Sequence, residues 1–137
     1  MPKTTHRIIV DTNLWISFLL TKDFSRLDHL FATDHLKLLF SKLLLTESVE
    51  VAQRPKFKKY FSLPDLEELL LPIEKKAEFV TVTSTVDLCR DPKDNFLLAL
   101  ALDGRATHLL TSDNDLLVLK RLNKTRILSI TDYLAGQ

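Results

Sequence analysis

The sequence predicts a single α/β domain, residues 1–137, in which helices cover both faces of a mostly parallel sheet of five strands. Short aliphatic runs alternate along the chain with longer segments of helical periodicity, a pattern typical of parallel sheets with helical crossovers. The order of the predicted elements is β, α, α, β, α, α, β, α, β, α, β, α. No linker, repeat or low-complexity segment divides the 137 residues, a length usual for one domain.

Five segments are predicted as strands because they are short and rich in aliphatic or β-branched residues. They are Arg7–Val10, Leu36–Phe40, Glu78–Val82, Thr107–Thr111 and Arg126–Ile130. Aliphatic runs of this length indicate strands that are buried on both faces.

The segments between the strands have helical spacing. The predicted helices are Leu14–Leu20 with its continuation to Phe31, broken near Thr21–Ser25; Lys42–Gln53; Pro64–Lys76, interrupted by Pro72; Asp91–Asp103; Leu116–Leu122; and a final turn. Their ends are predicted from helix-terminating residues, which are Ser25, Ser41 and Thr131 as N-caps, Pro55 as a stop and Gly104 as a C-terminal signal.

Composition excludes several classes of protein. Nineteen basic and eighteen acidic side chains give a net charge of +1, so a nucleic-acid partner must be argued from local patches. Two glycines are too few for a P-loop or a G-x-G-x-x-G loop, and the single cysteine, Cys89, cannot form an internal disulfide. No apolar run approaches the roughly 18 residues of a membrane helix, and the N-terminus does not resemble a signal peptide. A cytoplasmic location is expected.

Acidic residues follow four of the predicted strands, at the edge where ligands bind in open α/β sheets. They are Asp11 after the first strand, Glu47 and Glu50 in the helix after the second, Asp91 and Asp94 at the start of the helix after the third, and Asp113 and Asp115 after the fourth. Most of them, taken alone, also have a structural explanation. Asp91-Pro-x-Asp94 is a favourable helix start, Asp113 and Asp115 could cap a short helix, and Glu47 could be solvated.

For Asp11 the structural and the functional explanations are hardest to separate, because it lies between the aliphatic run I-I-V and a second apolar run. It is either a cap between strand and helix or a carboxylate placed for chemistry, with Thr12 and Asn13 available to hold it. Carboxylates from four segments at one edge would raise one another's pKa values unless a cation compensates their negative charge. The four histidines show no metal-ligand spacing, and oxygen ligands suit Mg²⁺ or Mn²⁺ rather than zinc.

Four stretches match a known family in that family's order. They are I-I-V-D-T-N-L-W-I-S-F-L (8–19), L-L-L-T-E-S-V-E-V-A-Q-R-P-K-F (43–57), C-R-D-P-K-D-N-F-L-L-A-L-A (89–101) and H-L-L-T-S-D-N-D-L-L (108–117). On these residues the chain resembles a PIN domain, and specifically the VapC-like toxins of toxin–antitoxin modules. With their connections, the four stretches cover nearly the whole chain.

The resemblance implies a Rossmann-like three-layer α/β/α fold and a metal-dependent ribonuclease. It implies a catalytic and metal-binding quartet at Asp11, Glu47, Asp94 and Asp113, with Asp115 as an auxiliary metal ligand and Asn13, Thr111 and Ser112 as polar supports. The roles of Asp91 and Glu50 stay open. One or two Mg²⁺ or Mn²⁺ ions would assist hydrolysis of RNA phosphodiester bonds and leave 3′-hydroxyl and 5′-phosphate ends. The implied partners are a small antitoxin protein and a second copy in a homodimer.

A basic and aromatic stretch, R-P-K-F-K-K-Y-F at 54–61, supplies candidate RNA contacts at Arg54, Lys56, Lys58 and Lys59. Cations can track phosphates while the rings between them stack on unpaired bases. The alternative is a connecting helix with a solvated basic face and buried rings. A second basic cluster is expected to be a solvated edge; it comprises Lys120, Arg121, Lys124 and Arg126.

Two other functions compete with the ribonuclease. Phosphohydrolases and phospho-acceptor domains also place acids after parallel strands, but the haloacid-dehalogenase type needs D-x-D, and Asn13 occupies the second of those positions. A receiver domain needs paired acids after its first strand and a lysine after its last, and neither is present. A non-catalytic PIN-like module that binds RNA or protein is the remaining alternative.

Overall fold

A mostly parallel sheet organises the computed structural model, which describes residues 5–21, 25, 29, 36–55, 64, 77–89, 91 and 94–136. Within these residues the sheet has six strands in the order β3-β2-β1-β4-β6-β5. They are β1 (His6–Val10), β2 (Leu36–Phe40), β3 (Ala77–Phe79), β4 (His108–Leu110), β5 (Arg121–Leu122) and β6 (Thr125–Leu128). Neighbouring strands are parallel except β5, which is antiparallel to β6. The predicted α/β class is confirmed.

The described sheet has one strand more than the five predicted. Leu116–Leu122 is predicted as a helix, but the helix ends at Leu117 and Arg121–Leu122 forms β5. Lys120 and Asn123 have φ angles of 62° and 53°, so the chain leaves the helix and turns back along β6 within a few residues. Periodicity cannot reveal a two-residue strand, because only its pairing with β6 defines it.

The described helices are α1 (Thr12–Thr21), α2 (Lys42–Ala52), α3 (Asn95–Gly104), α4 (Asn114–Leu117) and α5 (Ile130–Ala135). Ser41 caps α2 as predicted, because its Oγ accepts a hydrogen bond from the Leu44 N–H at 3.0 Å. The predicted helix over 64–76 and the continuation of the first helix to Phe31 lie outside the described residues, apart from single positions.

Two predicted N-caps are wrong. The cap of α5 is Ser129 rather than Thr131, since the Ser129 Oγ accepts from the Asp132 N–H at 3.0 Å. Asp91 does not cap α3, because the Asp94 N–H donates to the Asp91 carbonyl at 3.1 Å and this turn precedes the helix. Asp94 occupies the cap position without a side-chain capping bond.

The C-terminus of α3 uses its glycine for close packing rather than for a left-handed conformation. Gly104 still lies in the helix, and Arg105, with φ of 52°, is the left-handed residue that ends it. A Cβ at Gly104 would meet Leu39 Cδ1 at 2.9 Å and Val80 Cγ2 at 3.3 Å. The absence of a side chain therefore lets α3 approach β2 closely.

Strand β3 is shorter than predicted, since it ends at Phe79 and the residues up to 88 continue without forming a described strand. The Asp103 carboxylate at the end of α3 holds this segment instead. It accepts hydrogen bonds from the N–H groups of Thr83 and Ser84 at 2.6 and 2.9 Å.

The core lies on both faces of the central strands. Ile8 and Ile9 are consecutive on β1 and fully buried, and the same holds for Leu109 and Leu110 on β4. Because successive side chains of a strand point to opposite faces, both faces of the sheet are covered. None of the helices in the described ranges is long and apolar enough to cross a membrane.

Candidate active site

The ends of β1 and β4 form the floor of the candidate site. These strands are adjacent and parallel, with Val10 opposite Leu110, so both continue into the same edge of the sheet. The Asp11 N–H donates to the Leu110 carbonyl at 3.0 Å, which ties the first residue after β1 to the end of β4. Asp113 follows β4 after two further residues. Topology therefore brings Asp11 and Asp113 together.

Asp11 caps α1 and also presents its carboxylate at this edge. Its carbonyl accepts from the Leu14 N–H at 3.0 Å, and its Oδ1 accepts from the Asn13 N–H at 3.2 Å. Its Oδ2 accepts from the Thr111 hydroxyl at 2.6 Å, and the residue is only 3% exposed. Burial raises the pKa of Asp11 above its ordinary value, and the Asp113 charge adds to this, while the hydrogen bonds from Thr111 and Asn13 oppose it.

Thr111 connects the two strand-end acids. Besides donating to Asp11, its Oγ1 accepts from the Asp113 N–H at 3.0 Å, and Thr111 is 1% exposed. Asp113 Oδ1 in turn accepts from the Asp115 N–H at 2.9 Å and so caps α4. Of the other predicted supports, Asn13 contributes its backbone N–H while its side chain is exposed, and Ser112 is exposed.

Glu47 reaches the same edge from α2. The Thr12 hydroxyl donates to Glu47 Oε2 at 3.3 Å, while the Thr12 backbone N–H interacts with Asp11, so Thr12 contacts both acids. Burial raises the pKa of Glu47, the charges of Asp11 and Glu50 raise it further, and the Thr12 bond and Arg54 oppose the rise. Glu50 itself is exposed.

Asp94 approaches Asp113 from the start of α3. Burial, a hydrogen bond with the Asp113 carboxyl and the negative charges of Asp113, Asp11 and Asp91 raise the pKa of Asp94 to about 7. The neighbouring negative charges therefore disfavour the ionised form of Asp94, an effect that a bound cation would offset.

Two further residues that sequence reasoning did not assign to the site lie beside it. The Asn95 side-chain oxygen accepts from the N–H groups of Leu88 and Cys89 at 3.1 and 2.8 Å, which fixes the chain just before Asp91. The buried Cys89 thiol donates to the Asp115 carbonyl at 3.6 Å, and burial raises its pKa. Neither residue has a periodic or spacing signal, because both roles depend on contacts between separate elements.

The four acid-bearing segments thus interact in pairs, and their donor atoms are all carboxylate oxygens. Such donors fit a hard divalent cation. Among the residues that the structure describes, no three His, Cys, Asp or Glu side chains converge closely enough to enclose a metal ion. The donor chemistry therefore fits Mg²⁺ or Mn²⁺, although the side chains do not form a closed ligand cage.

A family model described as PIN domain matches residues 7–115, well over half of the chain and the whole span from Asp11 to Asp115. The chain belongs to the PIN domain family. PIN domains are generally nuclease domains, and PIN nucleases generally use divalent metals. A search of curated proteins finds no match to the chain.

This PIN domain also has a cavity of about 830 Å³ between α2, the segment that follows β3 and the start of α3. Asp11, Glu47, Asp94 and Asp113 do not line it. Thr46 and Asn95, the sequence neighbours of Glu47 and Asp94, contribute to its lining. The apolar lining comprises Leu43, Phe79, Val80, Val82, Val86 and Phe96, of which Leu43 and Phe79 are 57% and 63% exposed. The candidate RNA contacts Lys56, Lys58 and Lys59 lie outside the described residues, whereas Arg54 is described and exposed.

Proposed function

We propose that this PIN domain is an Mg²⁺- or Mn²⁺-dependent endoribonuclease. The observation that carries the proposal is the meeting of acidic side chains at the ends of β1 and β4, where the Thr111 hydroxyl donates to Asp11 Oδ2 at 2.6 Å and accepts from the Asp113 N–H at 3.0 Å. Burial and these neighbouring acids also raise the pKa of Asp94 to about 7. An acidic cluster that destabilises its own ionised form is the arrangement expected of a site that a divalent cation completes.

The proposed ligands of one or two ions are Asp11, Glu47, Asp94 and Asp113, with Asp115 as an auxiliary ligand. When bound, the cations supply charge neutralisation for the phosphodiester and activation of water at neutral pH. The described residues around them orient the ligands, as Thr111 does for Asp11 and Asp113, and Thr12 for Glu47. Hydrogen bonds of this kind fix ligand orientation and raise metal affinity.

The proposed substrate is RNA, with Arg54, Lys56, Lys58 and Lys59 as proposed phosphate contacts. The positive charge of Arg54 opposes the rise in the pKa of Glu47. This cation therefore acts electrostatically on the acidic edge, the edge of the sheet that carries Asp11, Glu47, Asp94 and Asp113. A cation at that position is suited to meet a phosphate that enters the site.

We further propose that the chain is the toxin of a type II toxin–antitoxin module, that it acts in the cytoplasm, and that it forms a homodimer. The cavity between α2 and the segment after β3 supports a protein partner, because exposed Leu43 and Phe79 present apolar surface there. An antitoxin segment with apolar side chains would fill this cavity.

The metal dependence of the wild-type chain tests the proposed activity. A labelled single-stranded RNA is incubated with the chain in Mg²⁺, in Mn²⁺ and in excess chelator, and the product ends are identified. We expect cleavage with either metal, no cleavage with chelator, and 5′-phosphate and 3′-hydroxyl ends. Equal cleavage in chelator would refute a metal-dependent enzyme. RNA binding without cleavage in either metal would favour the non-catalytic module.

The toxin role has its own test. Induced expression should arrest growth, and co-expression of the protein encoded by the adjacent reading frame should restore it. Unimpaired growth with soluble, RNA-cleaving protein present would remove the toxin assignment and leave the nuclease assignment intact.

A further inference from the structure

The outer hairpin of the sheet, formed by β5 and β6, carries positive charge and has no acidic residue between Asp115 and Asp132. Residues 116–131 contain four cations and no aspartate or glutamate. The cations are Lys120, Arg121, Lys124 and Arg126, and all four are exposed. In the part of the chain that the structure describes, none of them forms an ion pair, whereas Arg7 pairs with Glu78.

Two of these cations face each other directly across the hairpin. Arg121 is the register partner of Arg126, so the side chains lie on the same face of the two strands. Like charges placed directly opposite each other destabilise a strand pair. The charge of Arg126 also acts on His108 of the neighbouring strand β4. Burial lowers the pKa of His108 most, and the interactions with His6 and Arg126 lower it further. An anion lying on this row would remove the repulsion.

The hairpin also runs along the strand direction, from the acidic edge at the carboxyl ends of the parallel strands towards their amino ends. The Ile127 N–H donates to the Lys120 carbonyl at 2.9 Å, and the Thr111 N–H donates to the Leu128 carbonyl at 3.1 Å. Lys120 therefore lies beside the end of β6 that meets Thr111, whereas the turn at Asn123 lies at the other end. Helix α4 and the two residues after it, Val118 and Leu119, separate Lys120 from Asp113 along the chain. A polyanion leaving the acidic edge would meet Lys120 first and then the Arg121–Arg126 pair.

We propose that the β5–β6 hairpin binds the phosphate backbone of the RNA on its way to or from the acidic edge. The inference rests on RNA being the substrate, and it replaces the expectation that this cluster is only a solvated edge. Phosphate contacts by arginine and lysine position a nucleic acid without reading its sequence. Binding through the hairpin is therefore independent of base sequence and sensitive to salt.

The test measures the affinity of the full chain for a labelled single-stranded RNA between 50 and 300 mM NaCl (about a sixfold range, as salt-slope measurements need). Chelator is present throughout, so binding is read without cleavage. Each phosphate contact adds about 0.7 to the slope of log affinity against log salt, which is roughly fivefold in affinity at 0.1 M. The Arg121→Gln/Arg126→Gln variant should lose about 1.4 from the slope and roughly 25-fold in affinity at 0.1 M.

Matched variants separate a loss of charge on the hairpin from other effects. Lys37→Gln removes an exposed strand cation on β2, which is separated from β6 by the two strands β1 and β4, and should leave RNA affinity near that of the wild type. Arg121→Lys/Arg126→Lys keeps the charge and should keep the slope. If the double glutamine variant does not fold, Lys120→Gln/Lys124→Gln replaces it, with the same expected loss.

An acidic polypeptide, polyglutamate, is titrated in parallel to distinguish RNA from a protein partner. A larger loss for RNA than for polyglutamate supports the inference. RNA affinity and slope equal to those of Lys37→Gln, or an equal or larger loss for polyglutamate, overturn it. Because no metal is present, absence of cleavage in the separate activity assay would refute the nuclease assignment without changing this result.

Discussion

Asp11 caps α1 and at the same time presents a carboxylate oxygen towards the other acids. Its carbonyl and Oδ1 accept the N–H groups that begin α1, while Oδ2 accepts the Thr111 hydroxyl on the side of the other acids. Of the two alternatives that the sequence left open, the structure confirms the helix cap, and the proposed function assigns metal binding to the same carboxylate. A carboxylate fixed by several donors is held in place before any cation arrives.

Asp94 is the acid whose replacement should separate stability from activity. Its pKa is raised from 3.8 to about 7 on folding, so the folded state holds the proton more tightly and the free energy of unfolding falls as pH rises through this window. Asp94→Asn should therefore be more stable than the wild type at pH 8 without metal, by on the order of 1 kcal/mol after solvent screening. Urea unfolding at pH 8 measures this.

The control for that comparison is Asp87→Asn, which removes an exposed acid of the 80–88 segment. It should leave the unfolding midpoint nearly unchanged. An Asp94→Asn variant less stable than the wild type at pH 8 would show that the Asp94 charge is compensated in the folded state. The proposed electrostatic origin of the site would then be wrong.

The strand ends and the capped helices position the acidic side chains. Helix α2 carries Glu47 and begins at Ser41, whose Oγ accepts from the Leu44 N–H. Ser129 caps α5 in the same way, but no predicted metal ligand lies on that helix. The two serines therefore form a matched pair of capping sites.

Ser41→Ala and Ser129→Ala should each lower the free energy of unfolding by about 1 kcal/mol, because each leaves a helix N-terminus without its cap. Only Ser41→Ala should also reduce RNA cleavage, since fraying of α2 displaces Glu47. Chemical denaturation and cleavage rates of both variants check this. Equal activity losses in the two variants would indicate a general effect of stability.

The start of β4 makes stability depend on pH in the opposite sense. His108 packs against His6 of β1 and Tyr133 of α5, with ring centroids 4.8 Å apart in each case. His6 Nδ1 and the Tyr133 hydroxyl share a hydrogen bond of 2.5 Å, and Thr107 Oγ1 lies 2.7 Å from His108 Nδ1. Burial, with the positive charges of His6 and Arg126, lowers the pKa of His108 to about 4.

Because the unfolded His108 binds its proton below about pH 6.5, the unfolded state takes up more protons than the folded state between about pH 6.5 and 4. The stability contributed by neutral His108 should be present above that window and be lost as pH falls through it. Unfolding at pH 7.5 and 5 should show a smaller drop for His108→Gln than for the wild type. The exposed His29→Gln should retain the wild-type drop, and an equal drop in His108→Gln would refute the assignment.

For the molecule as a whole, the sequence was sufficient for the class of fold and for the edge at which the acids meet. Continuous aliphatic runs identify β1, β2 and β4 because those strands are buried on both faces. The rule that ligands bind beyond the carboxyl ends of parallel strands then brings Asp11 and Asp113 together. These inferences need only chain order and periodicity.

The remaining features depend on contacts between elements that are distant in sequence. Strand β5 is defined by its pairing with β6, and the Thr12–Glu47 hydrogen bond joins α1 to α2. The Asn95 side chain accepts a hydrogen bond from the Cys89 N–H, just before the turn that begins at Asp91. The N-cap of α3 is Asp94 rather than the predicted Asp91, because Asp91 lies in a turn that precedes the helix. Local propensity cannot settle such competition between two acceptable caps.

The role of Asp11 as a metal ligand is tested by the rate of RNA cleavage in Mn²⁺ by the wild type, Asp11→Asn and Asp87→Asn, with thermal unfolding of each recorded alongside. Loss of a ligand removes several kcal/mol of charge stabilisation, so Asp11→Asn should cleave at least about 100-fold more slowly while remaining folded. Asp87→Asn should cleave at the wild-type rate. A folded Asp11→Asn that cleaves RNA as fast as the wild type, with the same dependence on Mn²⁺, would show that Asp11 is not a metal ligand.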